Sequence, residues 1–139
     1  MSTDLAEIRE AFSFFDSWED KYRFVIDLGR DLETMPEAEK VEANLVRGCQ
    51  SQVWITVSID SASKSLHFVL DSDAHIVRGL IAIVLAAYQD RTPEQILGFD
   101  IEGLFEELAL LQHLSPTRGN GLRAMVSRIR DTAARQAGV

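Results

Sequence analysis

The one cysteine of this chain carries its most distinctive chemistry. The sequence around it reads Gly48-Cys49-Gln50-Ser51-Gln52-Val53-Trp54. Thiolate is the reactive form of cysteine, and a free pKa of about 8.5 leaves little thiolate near neutral pH. Useful reactivity therefore requires a cation, a helix dipole or hydrogen bonds close to Cys49.

Arg47 and Arg118 are the candidate cations for this thiol. The polar side chains of residues 50–52 could also hydrogen-bond a sulfur anion. Free cysteine is, however, among the most buried residue types, and an inert packed thiol explains a lone cysteine equally well. The residues alone leave both interpretations open.

Composition and charge indicate the kind of protein that carries this thiol. The 139 residues, 46% of them hydrophobic, predict one soluble globular domain over residues 1–139. One cysteine cannot form an internal disulfide and no basic segment precedes an early apolar run, so we expect a cytoplasmic protein. No stretch has the roughly 20 apolar residues of a membrane span. A net charge of -8 argues against a nucleic-acid partner, since phosphate binding depends on clustered lysine and arginine.

The apolar spacing predicts helices on both sides of a hairpin. Residues 5–15 repeat apolar positions at three and four residues, and Ser17 is placed to cap a second helix. Residues 53–59 and 66–71 alternate between apolar and polar types, which predicts two antiparallel strands. A central helix is predicted over residues 74–88, and helices continue to the end of the chain. The fold class is therefore α+β.

Two polar residues are placed to open the later helices. Asp73 precedes the predicted central helix and could cap it. Ser115, followed by Pro116, is the predicted start of the last helix. Arg118 then falls in the first turn of that helix, where a cation opposes the helix dipole. Local rules broken at one place often mark a functional site, although a salt bridge explains Arg118 nearly as well.

Three blocks of the sequence resemble the signature segments of SufE-type sulfur acceptors, the family that includes SufE and CsdE. The first is the segment around Cys49 given above. The others are Asp71-Ser72-Asp73-Ala74-His75-Ile76-Val77-Arg78-Gly79-Leu80-Ile81 and Gln112-His113-Leu114-Ser115-Pro116-Thr117-Arg118 with Gly121-Leu122. The blocks follow in the family's order and together span most of the chain.

This resemblance implies a fold, a role and partners. The fold is a small antiparallel sheet of about three strands packed by N-terminal and C-terminal helices. Cys49 is expected to take sulfane sulfur, as a persulfide, from a cysteine desulfurase of SufS or CsdA type, to stimulate that enzyme and to pass the sulfur to an iron-sulfur scaffold complex. The chain is then a carrier and activator with no turnover and no cofactor of its own, since pyridoxal phosphate belongs to the desulfurase. A homodimer is compatible with this role.

Seven further residues fall in the blocks that the resemblance assigns to shaping the site or binding the partner. They are Gly48, Gln50, Ser51, Gln52, Asp73, His113 and Arg118. Asp73 is also explained by helix capping alone. The three histidines lack metal-site spacing, so no metal is expected.

Two other functions remain open at this point. A thiol peroxidase or redox sensor with a single cysteine would pass through a sulfenic acid, and a plain adaptor would hold Cys49 as inert core. A carrier is suited by a lone thiol, because a second local cysteine would attack the persulfide and discharge it. Since a persulfide needs shelter from small thiols, we expect Cys49 to point into an apolar pocket at the hairpin base and to become exposed on docking.

Overall fold

The computed structural model describes residues 4–138, which form a two-stranded hairpin surrounded by helices. The helices and strands in chain order are α1 (Leu5–Phe14), α2 (Trp18–Leu28), β1 (Val53–Ile59), β2 (Leu66–Ser72), α3 (His75–Tyr88), α4 (Pro93–Gly98), α5 (Ile101–Glu107) and α6 (Pro116–Ala137). Short 3-10 turns lie at Gly29–Asp31, Glu37–Glu39, Glu42–Asn44 and Leu111–His113. Of the helices described, none is long and apolar enough to cross a membrane.

The predicted hairpin is confirmed, but the expectation of about three strands is too high. β1 and β2 pair antiparallel from Val53 opposite Ser72 to Ile59 opposite Leu66. The segment before the cysteine reaches β1 only through an isolated bridge between Leu45 and Trp54. It cannot extend into a strand because a 3-10 turn ends immediately before it and a left-handed glycine follows shortly after it.

Helix α3 lies at the centre of the core, as its apolar circumference predicts. Leu80, Ile81, Ile83 and Val84 are at most 1% exposed. Helix α2 crosses α3 so closely that a Cβ added at Gly79 would collide with an α2 carbonyl. The α+β fold class is thus confirmed, with α3 as the element on which both the hairpin and the outer helices pack.

The caps predicted for two helices are found, and a third is not. The Ser17 hydroxyl accepts a hydrogen bond from the Asp20 amide at 3.1 Å, and Ser115 opens α6 by accepting from the Arg118 amide at 3.2 Å. Asp73 does not cap α3: the N-cap position is Ala74, which makes no side-chain cap. The carboxylate of Asp73 is engaged elsewhere, beside the cysteine segment.

Candidate functional site

The segment that carries Cys49 leads into β1 and packs beside helix α6. Gly48 has a φ of 94°, a left-handed conformation that favours glycine. A Cβ at this position would also lie only 3.3 Å from the Cβ of Ala124 on α6. The chain therefore turns beside α6 because residue 48 is glycine, and this turn directs Cys49 toward the first turns of that helix.

Cys49 is half-buried and its thiol faces the α6 backbone. The sulfur lies 3.5 Å from the carbonyl oxygen of Gly121, to which the S–H group donates. This contact is available only to the protonated thiol, since a thiolate has no hydrogen to donate. Two glycines of α6, Gly119 and Gly121, lie in this part of the helix, and a Cβ at Gly121 would be 3.6 Å from the sulfur.

The thiol opens into a cavity of about 270 Å³ between the hairpin base, α3 and α6. Its lining residues are Cys49, Gln50, Ser51, Val53, Val77, Leu80, Ser115, Thr117, Arg118, Gly121, Leu122 and Met125. The expectation that Cys49 enters a pocket at the hairpin base is confirmed. The wall is mixed, however, and not apolar as expected, because the N-terminal turn of α6 contributes polar side chains beside the aliphatic ones of α3.

Burial raises the pKa of the Cys49 thiol above its ordinary value. Removing a thiolate from water costs free energy, and this desolvation is the cause of the raised pKa. In the protein alone, Cys49 is therefore held mainly as the neutral thiol. The lowered pKa that the sequence argument required for reactivity is not present in this state.

Arg118 is the candidate cation that shares the cavity with Cys49. Its guanidinium donates to the Tyr22 hydroxyl at 3.4 Å. Within residues 4–138 no carboxylate lies within 4.0 Å of it, so the salt bridge offered as its alternative explanation is not found. Arg47, by contrast, is 77% exposed, pairs with Glu42 at 3.5 Å and does not line the cavity.

Asp73 and Gln52 fasten the far end of the cysteine segment to β2. The Asp73 carboxylate accepts from the Gln52 amide at 3.1 Å, and the Asp73 amide donates to the Gln52 carbonyl at 3.4 Å. These two contacts extend the hairpin by one pair beyond Val53 and Ser72. We call them the Gln52–Asp73 latch.

The remaining predicted residue, His113, lies apart from the thiol. Its ring stacks on Trp18 with centroids 4.1 Å apart, and its Nδ1 is 2.9 Å from the Ala109 carbonyl oxygen. It does not line the cavity. The structure thus brings Gln50, Ser51 and Arg118 to the cavity, places Gly48 and the latch at the ends of the cysteine segment, and leaves His113 outside. Over residues 4–138 no group of three or more His, Cys, Asp or Glu side chains is arranged to hold a metal ion.

A charged cluster that the sequence did not predict lies beside the segment that carries Cys49. Asp71 is 8% exposed, and its carboxylate lies 3.2 Å from Lys40 Nζ and 3.5 Å from Arg78 Nε. Lys40 also pairs with Glu37, and its Nζ lies 5.6 Å from the Trp54 ring centroid. Hydrogen bonds to Glu37 and then to Asp71 raise the pKa of Lys40. The cluster fixes the 3-10 turns before Cys49 onto the hairpin. Asp71 occupies a position of β2 that the alternation predicts to be polar and exposed. Nothing in the sequence therefore indicated that it would be buried.

Comparison with known proteins identifies the class to which this fold and site belong. The sequence model of the family described as "SufE: Fe-S metabolism associated domain" matches residues 6–133, nearly the whole chain. The chain is a member of the SufE family and is associated with iron-sulfur metabolism.

Individual relatives agree with this membership. An uncharacterized SufE-like protein of Rhizobium meliloti (strain 1021) is 45% identical over 133 residues, covering 94% of this chain and 95% of the relative. An uncharacterized SufE-like protein of Rhizobium etli is 46% identical over 131 residues, covering 93% of this chain and 88% of the relative. The solution structure of a hypothetical protein from Thermus thermophilus has the same fold, with a TM-score of 0.74 at 16% identity over 95% of this chain and 93% of that one.

Proposed function

We propose that Cys49 accepts sulfane sulfur from the persulfide of a cysteine desulfurase, which this protein stimulates, and delivers it to iron-sulfur cluster assembly. The observation that carries the proposal is the position of Cys49: the chain's one thiol lines a cavity that Arg118 also lines, in a member of the SufE family. A carrier of this kind works in the cytoplasm with a desulfurase of SufS or CsdA type and with a scaffold complex.

The chemical step is a sulfur transfer between two thiols with no net oxidation. The Cys49 thiolate attacks the terminal sulfur of the donor persulfide and forms a new sulfur-sulfur bond. The bond between that terminal sulfur and the donor cysteine breaks, and the donor leaves as a thiolate. The donor thiolate can take up the proton that the Cys49 thiol lost, so charge is balanced. Cys49 then carries the persulfide.

The cavity accounts for how a persulfide survives once it has formed. A sulfur-sulfur bond is about 2.0 Å long, so an added sulfur extends the side chain by little more than one atom. The space of about 270 Å³ in front of Cys49 accommodates it. Walls from α3 and α6 limit the approach of small thiols, and Arg118 is the cationic residue of the lining that would pair with a persulfide anion.

The same burial requires the cysteine segment to move before it can receive sulfur. A half-buried thiol with a raised pKa is a poor nucleophile until it leaves the cavity. The segment has a glycine in the left-handed region at one end, Gly48, and the latch at the other. Opening of the latch on docking would expose Cys49 and present the thiol to the donor. The pKa of the thiol would then fall back toward its ordinary value.

The raised thiol pKa separates this proposal from the alternative of a thiol peroxidase or redox sensor. Such a protein needs a thiolate before any partner binds, because peroxide reacts with the anion. Burial of Cys49 disfavours that anion. Peroxide consumption by the protein alone, lost in Cys49→Ser, would support the alternative.

The experiment combines the protein with a SufS-type or CsdA-type desulfurase and cysteine. We expect an increase in desulfurase turnover and a gain of one sulfur atom in intact mass. The Cys49→Ser variant, which keeps the size of the side chain, should give neither result. Stimulation that persists in Cys49→Ser would indicate an adaptor and contradict the carrier role.

A further inference from the structure

Three aromatic rings at the end of helix α1 form a face that is open to solvent. Phe14, the last residue of α1, is 78% exposed, the highest value among the large hydrophobic side chains of residues 4–138. Its ring meets Phe15 edge-on with centroids 5.5 Å apart, and Phe15 lies 5.9 Å from Phe24 of α2. Phe24 in turn contacts the buried ring of Phe12 at 6.0 Å. This aromatic face, Phe14, Phe15 and Phe24, is therefore anchored on the core while its outermost ring stands in water.

The aromatic face lines a groove of about 620 Å³ along α1. The other lining residues are Glu7, Glu10, Ala11 and Ser13. Positions 7, 10, 11 and 14 are spaced three and four residues apart, so they form one stripe along about two turns of the helix. An apolar floor beside an exposed helix stripe is the kind of surface on which a second amphipathic helix packs. The shape of the groove therefore favours a helical segment as its occupant.

The charge of the groove indicates which kind of helix it would bind. Glu7 and Glu10 lie three residues apart on the same side of α1, where like charges repel. Within residues 4–138 neither carboxylate lies within 4.0 Å of a basic side chain. Arg9, the basic residue of α1, pairs with Glu107 at 2.8 Å. A cation from a partner would relieve the repulsion, and an arginine could also stack on the aromatic rings.

We propose that this groove binds an amphipathic helix of a partner protein, one that carries arginine or lysine beside its apolar stripe. Apolar side chains of that helix pack on the aromatic face, where exposed rings on a rigid element serve as anchors. Its cations pair with Glu7 and Glu10 at the rim. A second copy of this chain is a poorer occupant, because it brings a net charge of -8 to an acidic surface.

The groove and the sulfur site lie on different sides of α2. Tyr22, whose hydroxyl accepts from Arg118, and Phe24 are two residues apart on α2. Their side chains therefore point about 160° apart around the helix axis. No residue that lines the groove also lines the Cys49 cavity. A helix in the groove thus leaves the cavity residues uncovered, and the proposal does not rest on the role of Cys49.

Binding of a defined peptide to the full chain tests the proposal. The probe is a fluorescein-labelled synthetic peptide of about 18 leucine and arginine residues, with leucines spaced three and four apart to form one helix face. Fluorescence anisotropy in roughly 0.15 M salt should show saturable binding of one peptide per chain. A peptide with the same composition in scrambled order keeps the charge and loses the apolar face. It should bind at least tenfold more weakly.

A pair of variants locates the binding surface. Phe14→Ser removes the outermost ring of the aromatic face and should weaken binding of the probe at least fivefold. Its matched control is Ile59→Ser, which removes another exposed hydrophobic side chain, 46% exposed at the hairpin tip. This control should bind the probe as the unaltered chain does.

A second pair of variants tests the rim charges, and it decides the case if circular dichroism shows that Phe14→Ser is unfolded. Glu7→Gln combined with Glu10→Gln should weaken binding and flatten its dependence on salt. Glu39→Gln combined with Glu94→Gln removes the same charge from exposed positions outside the groove and is the control.

Three results would overturn the proposal: no binding of the probe, equal binding of the scrambled peptide, or equal losses in a groove variant and its control. Self-association that is lost in Phe14→Ser, with peptide binding retained, would assign the groove to a second copy of this chain instead.

Discussion

The base and the tip of the hairpin share two strands and differ in how they are held. At the base, Val53 is 1% exposed, the Gln52–Asp73 latch closes the pairing, and the outer edge of β1 is met by the Leu45–Val46 segment. At the tip, Val57 is 43% exposed and the outer edge is open. Close packing and pairing are concentrated at the base, where the thiol must be positioned, whereas the tip, far from Cys49, is more exposed to solvent.

The largest expected difference comes from truncating one valine at each end. Val53→Ala removes two buried methyl groups and leaves a void beside the Cys49 cavity, which should lower the free energy of unfolding by about 2 kcal/mol. Val57→Ala, on the same face of the same strand, should cost less than about 1 kcal/mol because its side chain is already half in water. Urea unfolding of the two variants measures both values. Equal costs would show that the base is no better packed than the tip.

The next comparison separates the two candidate cations. Arg118→Ala removes the charged residue of the cavity lining and should slow sulfur transfer to Cys49 by roughly tenfold, since a persulfide anion would then have no cationic partner there. Arg47→Ala removes an exposed, paired arginine and should leave the rate within about twofold. Single-turnover transfer from a preloaded desulfurase gives both rates. A slower rate in Arg47→Ala alone would reverse the assignment.

A smaller effect is expected from the two aspartates that fasten turns at opposite ends. Asp73→Ala removes the latch acceptor, so the cysteine segment should open more often and a bulky thiol reagent should label Cys49 about threefold faster. Asp60→Ala alters the tip turn, where the carboxylate accepts two amides, and should not change labelling. The readout is the labelling rate of the protein without a partner. Unchanged labelling in Asp73→Ala would mean that the latch does not hold the segment.

The smallest expected effect concerns a histidine near the tip. His67, opposite Ser58, has Nδ1 2.7 Å from Asp90 and Nε2 2.7 Å from Glu33. Hydrogen bonds first to Glu33 and then to Asp90 raise its pKa. A raised pKa contributes stability that is fully present below the unfolded pKa of about 6.5 and is lost as pH rises through the folded value.

We expect the unaltered chain to exceed His67→Gln in free energy of unfolding at low pH and the gap to narrow on raising the pH. Solvent screening at this half-exposed site keeps the gap below about 0.5 kcal/mol. Chemical unfolding of both proteins from pH 5 to 8 measures it. A gap that widens with pH would contradict the charge assignment of His67.

Local chemistry made much of the fold predictable. Ser17 and Ser115 were predictable as caps because a serine hydroxyl just before a helical apolar repeat can accept from the free amides of the first turn. The alternation of apolar and polar residues in β1 and β2 likewise predicted one buried face. Asp73 was placed wrongly because a capping aspartate and a latch aspartate look alike in sequence. The choice was decided by the Gln52 amide, twenty-one residues away along the chain.

The site was predictable in its residues and less so in its electrostatics. The lone cysteine with its polar neighbours indicated where to look, and Arg118 and Arg47 were the two cations considered for it. That Arg118 shares the cavity and Arg47 does not depends on how α6 packs against the cysteine segment. The Gly121 carbonyl that accepts from the thiol is a backbone group, so its role could not be predicted from the residue type.

The central claim is that Cys49 itself carries the transferred sulfur. The most direct measurement is peptide mapping by mass spectrometry, after incubation with a desulfurase and cysteine and immediate alkylation. We predict one additional sulfur between Cys49 and the alkyl group, on the peptide that contains residues 48–54. Recovery of this peptide with an alkylated but unmodified Cys49, while the desulfurase retains its persulfide, would contradict the account.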